Sequence, residues 1–330
     1  MVKTIQEIAR LAGVSKTTVS LVINGKGSSY RISNKTQKKI LDIVERERFT
    51  PDQYARGFRL KKTQTLGLVV PDFTNWFFSQ ICYETELFAR HHHHQVFIAC
   101  SDDDEETEIK VVQNLIARKI DGLIVASVMK NDQMTQEISN YKIPVVYIDR
   151  RIESDTVSWV TSDNFQGTYE LVSYMCSKKL KDICFLGGLK NISTSQHRLQ
   201  GYRKALEDQG IEYDPAKVFQ RDYTREAGFH LAGEMVEKRQ GFPQAFLTGS
   251  LTLLEGALQY IKKTLGNIPE TLHIGTFDDH PFLDFLSVPI PSVRQDTRKI
   301  SRTALEMISG ALSGRSTIQQ KIIKPLLIIR

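Results

Sequence analysis

The sequence predicts an α/β protein in two parts, an all-α head at the N-terminus and a larger body of two lobes built on parallel sheets. Three observations predict this class. Helix starts recur three times within the first 50 residues, apolar runs alternate with amphipathic stretches beyond residue 64, and the two parts differ in net charge. A chain of 330 residues also exceeds one typical domain, which agrees with this division.

The head is predicted to contain three short helices. Thr4 precedes Glu7 by three residues, the spacing of a capping box at a helix start. Gly13 can supply a turn and Ser15 the N-cap of a second helix, and Ser33 starts a third. Because the second helix follows the first across a single Gly-containing turn, the pattern predicts a helix-turn-helix.

The charge of the chain is concentrated in the head. Residues 1–62 hold 14 Lys and Arg against 5 Asp and Glu, a net charge of +9, whereas the rest of the chain carries −3 of the whole-chain +6. This asymmetry favours a polyanionic partner, either nucleic acid or an anionic membrane surface. A merely solvated basic surface would carry the same charge, so the charge alone leaves both interpretations open.

The linker and the body follow the head. Residues 51–64 are polar and basic, with Pro51 suited to a first helical turn and Gly57 weakening the helix. Amphipathic patterns lie between most of the body's strand candidates, and such alternation is typical of parallel sheets covered by helices. Ligands in these folds bind beyond the carboxyl ends of the strands. The strand candidates are 65–70, 95–100, 121–126, 145–149, 183–187, 245–248 and 273–277.

The composition excludes several classes of protein. Charged residues make up 25% and hydrophobic residues 41%, which indicates a globular chain and excludes a fibrous or disordered one. Neither an apolar run of about 18 residues nor a secretory signal is present. Four cysteines without CxxC spacing indicate reduced thiols. We therefore expect a cytoplasmic protein that does not cross a membrane.

The second helix of the head carries the residues suited to DNA. In a helix-turn-helix this helix lies in the major groove, and its N-terminal side chains reach the base edges. Lys16 is suited to guanine acceptors or phosphate, and the methyl group of Thr17 is suited to a thymine methyl. A generic helical hairpin is the alternative, but the turn and the charge of the head favour DNA binding.

The head resembles the LacI/GalR family of repressors, and the resemblance covers the whole chain. It implies a repressor that binds operator DNA as a dimer and responds to a small effector. Pro51, Ala55 and Phe58 match the hinge helix of the family, in which the residue at the Phe58 position is wedged into a base step of the minor groove. The matching segments of the head are Ile8–Ala9, Ala12–Ser15, Thr18–Ser20, Val22–Asn24, Ser33 and Lys35–Thr36.

The segment from Gly25 to Arg31 is a longer insertion than in the lactose repressor and looks like that of the sucrose-repressor and fructose-repressor branch. Tyr30 and Arg31 within it are suited to backbone phosphate, with a tethering turn as the alternative. Relatives often carry Arg at the Leu21 position, so we expect one guanine contact to be lost. The predicted DNA-binding residues are Thr4, Ser15, Lys16, Thr17, Ser20, Leu21, Asn24, Tyr30, Arg31, Ala55 and Phe58.

The body resembles periplasmic sugar-binding proteins, as the effector domains of this family do. The residues that match the family's effector pocket follow the strand ends, where carboxylates, amides and guanidinium groups suit hydroxyls and aromatic rings suit sugar faces. Taken singly, Asp149 could equally cap a loop and Phe77 could be simple core. The predicted effector-binding residues are Asp72, Asn75, Phe77, Phe78, Asp149, Arg150, Arg198, Tyr223, Ser250, Asp278 and Gln295.

The effector is expected to be fructose or a fructose phosphate, because several stretches look most like sucrose operon repressors. Ser250 departs from the family, whose members usually carry Asn there followed by Asp, whereas Leu251 follows here. The wall of the pocket is therefore expected to differ from that of a galactoside or ribose pocket. Arg150 and Arg198 could pair with a phosphate or with hydroxyls, so the charge leaves both effectors open.

No feature indicates catalysis, a cofactor or a metal. The run His91–His94 could be a metal tract, but neighbouring side chains at a helix end diverge. Asp278, Asp279 and His280 could form an acid–base set, yet no activated nucleophile accompanies them. The chain has neither a P-loop nor a GxGxxG motif. We therefore predict a protein that is not an enzyme.

The sequence thus predicts a helix-turn-helix head at residues 1–50, a hinge helix and linker at 51–64, and an effector-binding and dimerisation domain at 65–330. We expect its first lobe at about 65–162 and 293–320, and its second at about 163–292 and 321–330. The effector domain is accordingly predicted to be two-lobed and similar to periplasmic binding proteins.

The expected function is repression of a sugar-utilisation operon, most similar to a sucrose operon, with release from double-stranded operator DNA by a fructose-type sugar. A homodimer is expected, because the chain ends at Arg330 without the leucine-rich tail that tetramerises the lactose repressor. The alternatives are a fructose-phosphate-responsive dual regulator of carbon metabolism in the same family, a sugar-binding protein without a role at DNA, and a carbohydrate-processing enzyme.

Overall fold

A computed structural model describes residues 4–49, 63–129, 133–315 and 317–330. The chain divides into two compact units, Met1–Thr63 and Gln64–Arg330. The predicted hinge helix, with its DNA contacts Ala55 and Phe58, lies outside the described residues.

The head contains three helices within its described residues, as the sequence predicts: α1 (Ile5–Ala12), α2 (Lys16–Ile23) and α3 (Asn34–Arg46). Thr4 and Glu7 form the predicted capping box at the start of α1. Gly13 ends this helix with a φ of +70°, a left-handed conformation that favours glycine and allows the sharp turn into α2.

All three helices contribute to one hydrophobic core in the head. Burying these apolar side chains against one another stabilises helices that are too short to persist alone in water. The polar residues at the start of α2 remain on the surface. The core residues are Ile8, Ala9, Ala12, Val19, Val22, Ile40, Ile43 and Phe49.

The body is built on two six-stranded sheets. In chain order the described strands are β1 (Thr65–Val70), β2 (Gln95–Cys100), β3 (Gly122–Val125), β4 (Val145–Ile148), β5 (Ser158–Ser162), β6 (Ile183–Gly187), β7 (Val218–Gln220), β8 (Ala245–Thr248), β9 (His273–Phe277), β10 (Ser292–Arg294), β11 (Gln320–Ile323) and β12 (Leu326–Ile328). The first sheet is parallel throughout and has the strand order β11-β5-β4-β3-β1-β2. The second has the order β12-β10-β9-β8-β6-β7, in which β12 is antiparallel to β10 and the other described pairs are parallel.

Helices alternate with these strands, so the predicted α/β body of two lobes built on parallel sheets is confirmed. Short 3₁₀ turns also occur at Ser139–Tyr141, Pro215–Lys217 and Pro281–Phe285. The α-helices of the body are α4 (Trp76–His91), α5 (Glu105–Ala117), α6 (Gln133–Ile138), α7 (Asn164–Ser177), α8 (Ser193–Asp208), α9 (Arg225–Arg239), α10 (Leu251–Leu265) and α11 (Thr297–Leu312).

The chain passes between the two lobes three times, after β5, after β10 and after β11. Strand β10 pairs with β9 in the second sheet as far as Val293 and with β12 as far as Arg294. Strand β11 pairs with β5 in the first sheet up to Ile323. Strand pairing therefore puts the second and third passages a few residues later than the expected boundaries at 292/293 and 320/321.

Across the described ranges, no helix is both long enough and apolar enough to cross a membrane. The four cysteines are free thiols, with Cys184 buried and the others half-buried. His91 ends α4 and His92 caps it. Within the same residues no group of three His, Cys, Asp or Glu side chains is suited to a metal ion.

Candidate functional site

The start of α2 presents polar side chains to solvent. Ser15, Lys16 and Thr17 are exposed. The Ser15 hydroxyl accepts a hydrogen bond from the Thr18 backbone N–H at 3.1 Å and lies 2.8 Å from the Thr18 hydroxyl. Ser15 thus fixes the first turn of the helix, whereas Lys16 and Thr17 have side chains exposed at its N-terminal end. Thr4 is likewise exposed, at the start of α1.

Ser20, Leu21 and Asn24 lie further along α2 and are half-buried. The Asn24 side-chain amide donates to the Ser20 carbonyl at 2.6 Å. Asn24 therefore satisfies a carbonyl at the C-terminal end of the helix. Of these three predicted contacts, Leu21 has only apolar surface to offer a base.

Tyr30 and Arg31 occupy the outside of an ordered turn between α2 and α3. Tyr30 is 62% exposed, and Arg31 is exposed with a φ of +57°. The Gln37 amide donates to the Ile32 carbonyl at 2.7 Å, which fastens the end of this turn to α3. The turn presents an aromatic and a basic side chain together, so both the phosphate contact and the tethering turn stay as predictions.

A cavity of about 380 Å³ lies beyond the carboxyl ends of the strands in the body, and side chains of both lobes line it. All eleven residues predicted to bind the effector are among its lining residues. The structure therefore brings together side chains that are as far apart in the chain as Asp72 and Gln295. Their role in binding remains a prediction.

The loop from β1 to α4 supplies the first wall of the cavity. Asp72 accepts hydrogen bonds from the Thr74 backbone N–H at 2.7 Å and from its hydroxyl at 2.6 Å. Asn75 caps α4 by accepting from the Phe77 backbone N–H at 3.0 Å. The rings of Phe77 and Phe78 meet edge to face, 5.0 Å apart. This geometry fixes two apolar surfaces beside polar groups.

Asp149 and Arg150 directly follow β4 and are almost fully buried. Asp149 has a φ of +63°, and its carbonyl accepts a hydrogen bond from Thr161. Arg150 forms an ion pair with Asp103 through Nη2. Among the described residues, Nε and Nη1 of Arg150 have no hydrogen-bond partner. Buried donors of this kind fit a ligand that supplies acceptors, because an unsatisfied polar group costs about 1–3 kcal/mol.

Arg198, on α8, is held by several groups at once. Its Nε donates to the Asn164 side-chain carbonyl at 2.7 Å, and its Nη1 donates to the Gly249 carbonyl. Its guanidinium carbon lies 3.8 Å from the ring centre of Phe277, a cation–π arrangement. Arg198 is thus fixed in place before any ligand arrives.

The second lobe contributes acidic and aromatic groups to the opposite wall. Asp278 follows β9 with a φ of +72° and accepts a hydrogen bond from Gln295 Nε2 at 2.6 Å. The Tyr223 hydroxyl lies 2.8 Å from the Ser195 hydroxyl. Ser250 caps α10 by accepting from the Leu253 backbone N–H at 3.2 Å. The Ser250 side chain, which differs from the residue usual in the family, therefore caps α10.

Burial dominates the electrostatics of the two carboxylates. Loss of water raises the pKa of Asp149 to about 6, although the nearby Arg198 and Arg150 guanidinium groups lower it. Burial also raises the pKa of Asp278, and Arg198 and the Gln295 hydrogen bond oppose this shift. The negative charges of Asp278 and Asp103 also raise the pKa of Asp149.

Two residues at the lobe crossovers contact the charged side chains of the cavity. Asn164, the first residue of α7, accepts from Arg198, and its amide donates to the Ser162 carbonyl at 3.1 Å. Gln295, after β10, donates to Asp278. The segments that join the lobes are therefore linked directly to the cavity by hydrogen bonds.

Sequence reasoning missed part of the lining. Pro71 directly follows β1, and Asp102 and Asp103 lie two and three residues after β2, so their positions at predicted strand ends were a usable signal. The other missed residues lie after β7, which was not predicted, or at helix starts. The additional lining residues are Pro71, Asp102, Asp103, Ile192, Thr194, Asp222 and Thr224.

Asp279 and His280, two members of the possible acid–base set, make structural contacts. Asp279 accepts from Ser292 at 2.7 Å and pairs with Arg294 and Arg330. His280 accepts from the Phe282 backbone N–H through Nδ1 at 3.0 Å. These contacts hold the loop after β9, and none of them activates a nucleophile.

Comparison with protein families gives two matches that together span most of the chain. Residues 4–52 match the family of bacterial regulatory proteins of the lacI type. Residues 63–287 match periplasmic binding proteins and the sugar-binding domain of the LacI family. The division between the matches falls where the two compact units meet in sequence.

Individual relatives cover almost the whole chain. The sucrose operon repressor of Klebsiella pneumoniae is 35% identical over 313 residues, 95% of this chain and 93% of that protein. The catabolite repressor/activator of Escherichia coli strain K12 is 34% identical over 312 residues, 93% and 92% of the two chains. A solved structure of the Cra transcriptional dual regulator from Pseudomonas putida in complex with fructose 1-phosphate is 28% identical, with a TM-score of 0.75, and covers 81% of this chain and 98% of that one.

Proposed function

The chain belongs to the LacI family, whose members are sugar-responsive DNA-binding regulators and not enzymes, and we propose that it represses a sucrose-utilisation operon and is released by a fructose-type sugar. One observation carries the proposal. The eleven side chains that match the sugar pocket of the family line a single cavity between two lobes. Polar groups flanked by Phe77, Phe78 and Tyr223 suit a sugar, because its ring has apolar faces and its edges carry hydroxyls.

The proposed DNA contact is made by the start of α2. Exposed Lys16 and Thr17 at the N-terminal end of this helix suit the base edges and phosphates of a major groove. The basic head and linker, with a net charge of +9 over residues 1–62, would neutralise further phosphates. We expect a homodimer on a pseudo-palindromic operator, because two recognition helices must lie about one DNA turn apart.

The choice of a sucrose operon is supported by the 35% identical sucrose operon repressor. The choice of a fructose-type effector is supported by the fructose 1-phosphate bound to the Pseudomonas putida regulator. Binding of the sugar between the lobes would favour one lobe arrangement over the other. Release of DNA follows if that arrangement binds the operator more weakly, because a ligand shifts an equilibrium only by its differential affinity.

The two activities can be separated with the full-length protein. An operator is first selected from a random duplex library, and its binding is followed by fluorescence anisotropy while fructose or a fructose phosphate is added. Lys16→Ala should weaken operator binding and reduce the slope of log K against log salt by about one, since one phosphate or base contact is lost. Lys110→Ala, an exposed lysine on α5, is the matched control and should leave the slope unchanged.

The effector cavity is tested in the same assay. Asp278→Asn should bind the operator normally yet fail to release it when the sugar is added. The reason is that the buried carboxylate proposed to accept hydrogen bonds from the sugar hydroxyls is lost. Asp155→Asn, an exposed position in the loop before β5, should respond as the unmodified protein does. An operator complex that no fructose species releases would contradict the proposed effector and leave the DNA-binding role intact.

A dual regulator of carbon metabolism is a second candidate, favoured by the 34% identity to the catabolite repressor/activator of Escherichia coli. The two candidates differ in the number and position of the genomic DNA sites that each would bind. Genome-wide mapping of binding sites would show one or a few sites at sugar genes for an operon repressor. Many sites, some upstream of genes whose transcription falls when the protein is removed, would favour the dual regulator.

A further inference from the structure

We propose that the cavity selects an uncharged sugar over the phosphate monoester of the same sugar, and that Asp103 sets this preference by neutralising Arg150. The inference rests on the proposed sugar-binding role of the cavity and names the chemical class of its ligand. It also separates this chain from the Pseudomonas putida regulator, which was solved with fructose 1-phosphate.

The charges that line the cavity are mostly negative. Among the described residues, its lining contains no lysine and no histidine, and two guanidinium groups, Arg150 and Arg198, face six carboxylates. A phosphate monoester carries between one and two negative charges at neutral pH, so it would enter a cavity that is already negative. The six are Asp72, Asp102, Asp103, Asp149, Asp222 and Asp278.

Protonation of the buried carboxylates does not reverse this balance. Burial raises the pKa of both Asp149 and Asp278. With both of them protonated, four carboxylates still outnumber the two guanidinium groups. The excess of negative charge therefore does not depend on the ionisation of the two buried carboxylates.

Arg198 is already engaged by the protein. Its Nε and Nη1 donate to Asn164 and Gly249, and its face lies against the ring of Phe277. Bidentate binding of a phosphate needs two N–H groups presented side by side. Two of the five N–H groups of Arg198 are thus already used by the protein, and the Phe277 ring covers one face of its guanidinium, so Arg198 offers a ligand fewer donors than a free guanidinium would.

Arg150 is the other cation in the described part of the lining, and it forms an ion pair with Asp103. The side chain of Arg150 is 5% exposed and that of Asp103 is 25% exposed, so the pair is largely withdrawn from water. A phosphate could use the full charge of Arg150 only by displacing this carboxylate, which would leave the half-buried Asp103 without its cation. The unpartnered Nε and Nη1 of Arg150 can still donate to neutral hydroxyl oxygens.

The remaining polar atoms also match hydroxyl groups. Hydroxyls both donate and accept, so the carboxylates can serve as acceptors and Arg150 as a donor. Among the described residues, Oε1 of Gln295 is buried without a partner and can accept one further hydroxyl hydrogen. A phosphate ester carries acceptor oxygens where the free sugar has a hydroxyl. The carboxylate oxygens and Gln295 Oε1 would repel those oxygens.

The test is calorimetric titration of the full-length protein with fructose and with fructose 1-phosphate. The unmodified protein should bind fructose at least about tenfold more tightly than its phosphate, a difference of 1.4 kcal/mol. Asp103→Asn frees the Arg150 charge and should shift the ratio of the two affinities toward the phosphate by roughly tenfold. Asp102→Asn removes one charge at the neighbouring position with no ion pair to Arg150, and should shift the ratio less.

The outcomes are distinct. Tighter binding of fructose 1-phosphate by the unmodified protein would overturn the inference and leave the proposed function standing. Equal shifts in Asp102→Asn and Asp103→Asn would also overturn it, because the Arg150 pair would then have no special role. If neither compound binds while operator binding is intact, the proposed effector is wrong and the inference falls with it. The unmodified protein decides the preference even if Asp103→Asn does not fold.

Discussion

At the scale of single residues, two buried carboxylates hold equivalent places in the two lobes. Asp149 follows β4 and Asp278 follows β9, which are the third strands of the two sheet orders. Both have a left-handed φ, and both are about 95% buried. A non-glycine residue in this region is strained, so the surrounding structure must hold it there. In this conformation both carboxylates line the cavity.

The raised pKa of Asp149 predicts a pH-dependent stability. Between about pH 4 and pH 6 the folded state holds a proton at Asp149 that the unfolded state has lost, so the contribution of this group to stability falls as the pH rises through that window. Asp149→Asn lacks the effect. In denaturant unfolding, the free energy of unfolding of the mutant relative to that of the unmodified protein should rise by up to about 3 kcal/mol from pH 4 to pH 7.

The comparison needs no ligand and can be made with matched buffers. Above about pH 7 the difference between the two proteins should stop changing, since Asp149 is then ionised in both states. A difference that is constant from pH 4 to pH 7 would show that the pKa of Asp149 is not raised.

Gly188 is a second residue on which the cavity depends. It is buried after β6, and a Cβ at this position would overlap the ring of Tyr223. Gly188→Ala should displace that ring and weaken sugar binding roughly tenfold, because overpacking costs about 1–3 kcal/mol. Calorimetry measures the affinity. In Gly310→Ala, on α11, the new Cβ has no neighbour nearer than 3.7 Å, so the affinity should not change.

At the scale of elements, helix caps at the start of each head helix decide where the helix begins. Ser15 and Ser33 each accept a hydrogen bond from the backbone N–H three residues later. These contacts are local, which is why the sequence predicts the helix starts correctly. Strands depend on partners far away in the chain, and five of them were not predicted.

The contribution of the Ser15 cap to the free energy of unfolding can be tested. Ser15→Ala should lower the free energy of unfolding of the head by about 1 kcal/mol, since the Thr18 N–H loses its acceptor. Ser29→Ala, an exposed serine in the turn before α3, serves as the control and should have little effect. Thermal unfolding followed by circular dichroism measures both. Equal losses in the two variants would mean that the cap does not stabilise α2.

At the scale of the whole molecule, the division into two units separates charge and function. The basic head and the two-sheet body each have hydrophobic cores of their own. Each unit therefore has the burial needed to fold alone. This arrangement allows one part to contact DNA while the other binds a small ligand.

The division predicts the behaviour of a fragment. Residues 64–330 expressed alone should fold and bind the sugar with the affinity of the full chain, because every lining residue of the cavity lies within this unit. The fragment should not bind the operator. Calorimetry and anisotropy measure the two properties. A fragment that unfolds, or that binds the sugar more than about tenfold more weakly, would show that the head supports the cavity.

The sequence by itself determined the features that depend on near neighbours: the helix starts, the Gly13 turn and the seven apolar strands. The eleven lining residues came from the family resemblance, which carries information that local patterns do not. Tertiary structure decided the features that join distant segments. The short strands β5, β7, β10, β11 and β12 gain their hydrogen bonds only from a sheet already in place. The Asp103–Arg150 and Asn164–Arg198 contacts likewise join residues more than 30 positions apart, and local patterns carry no information about such pairs.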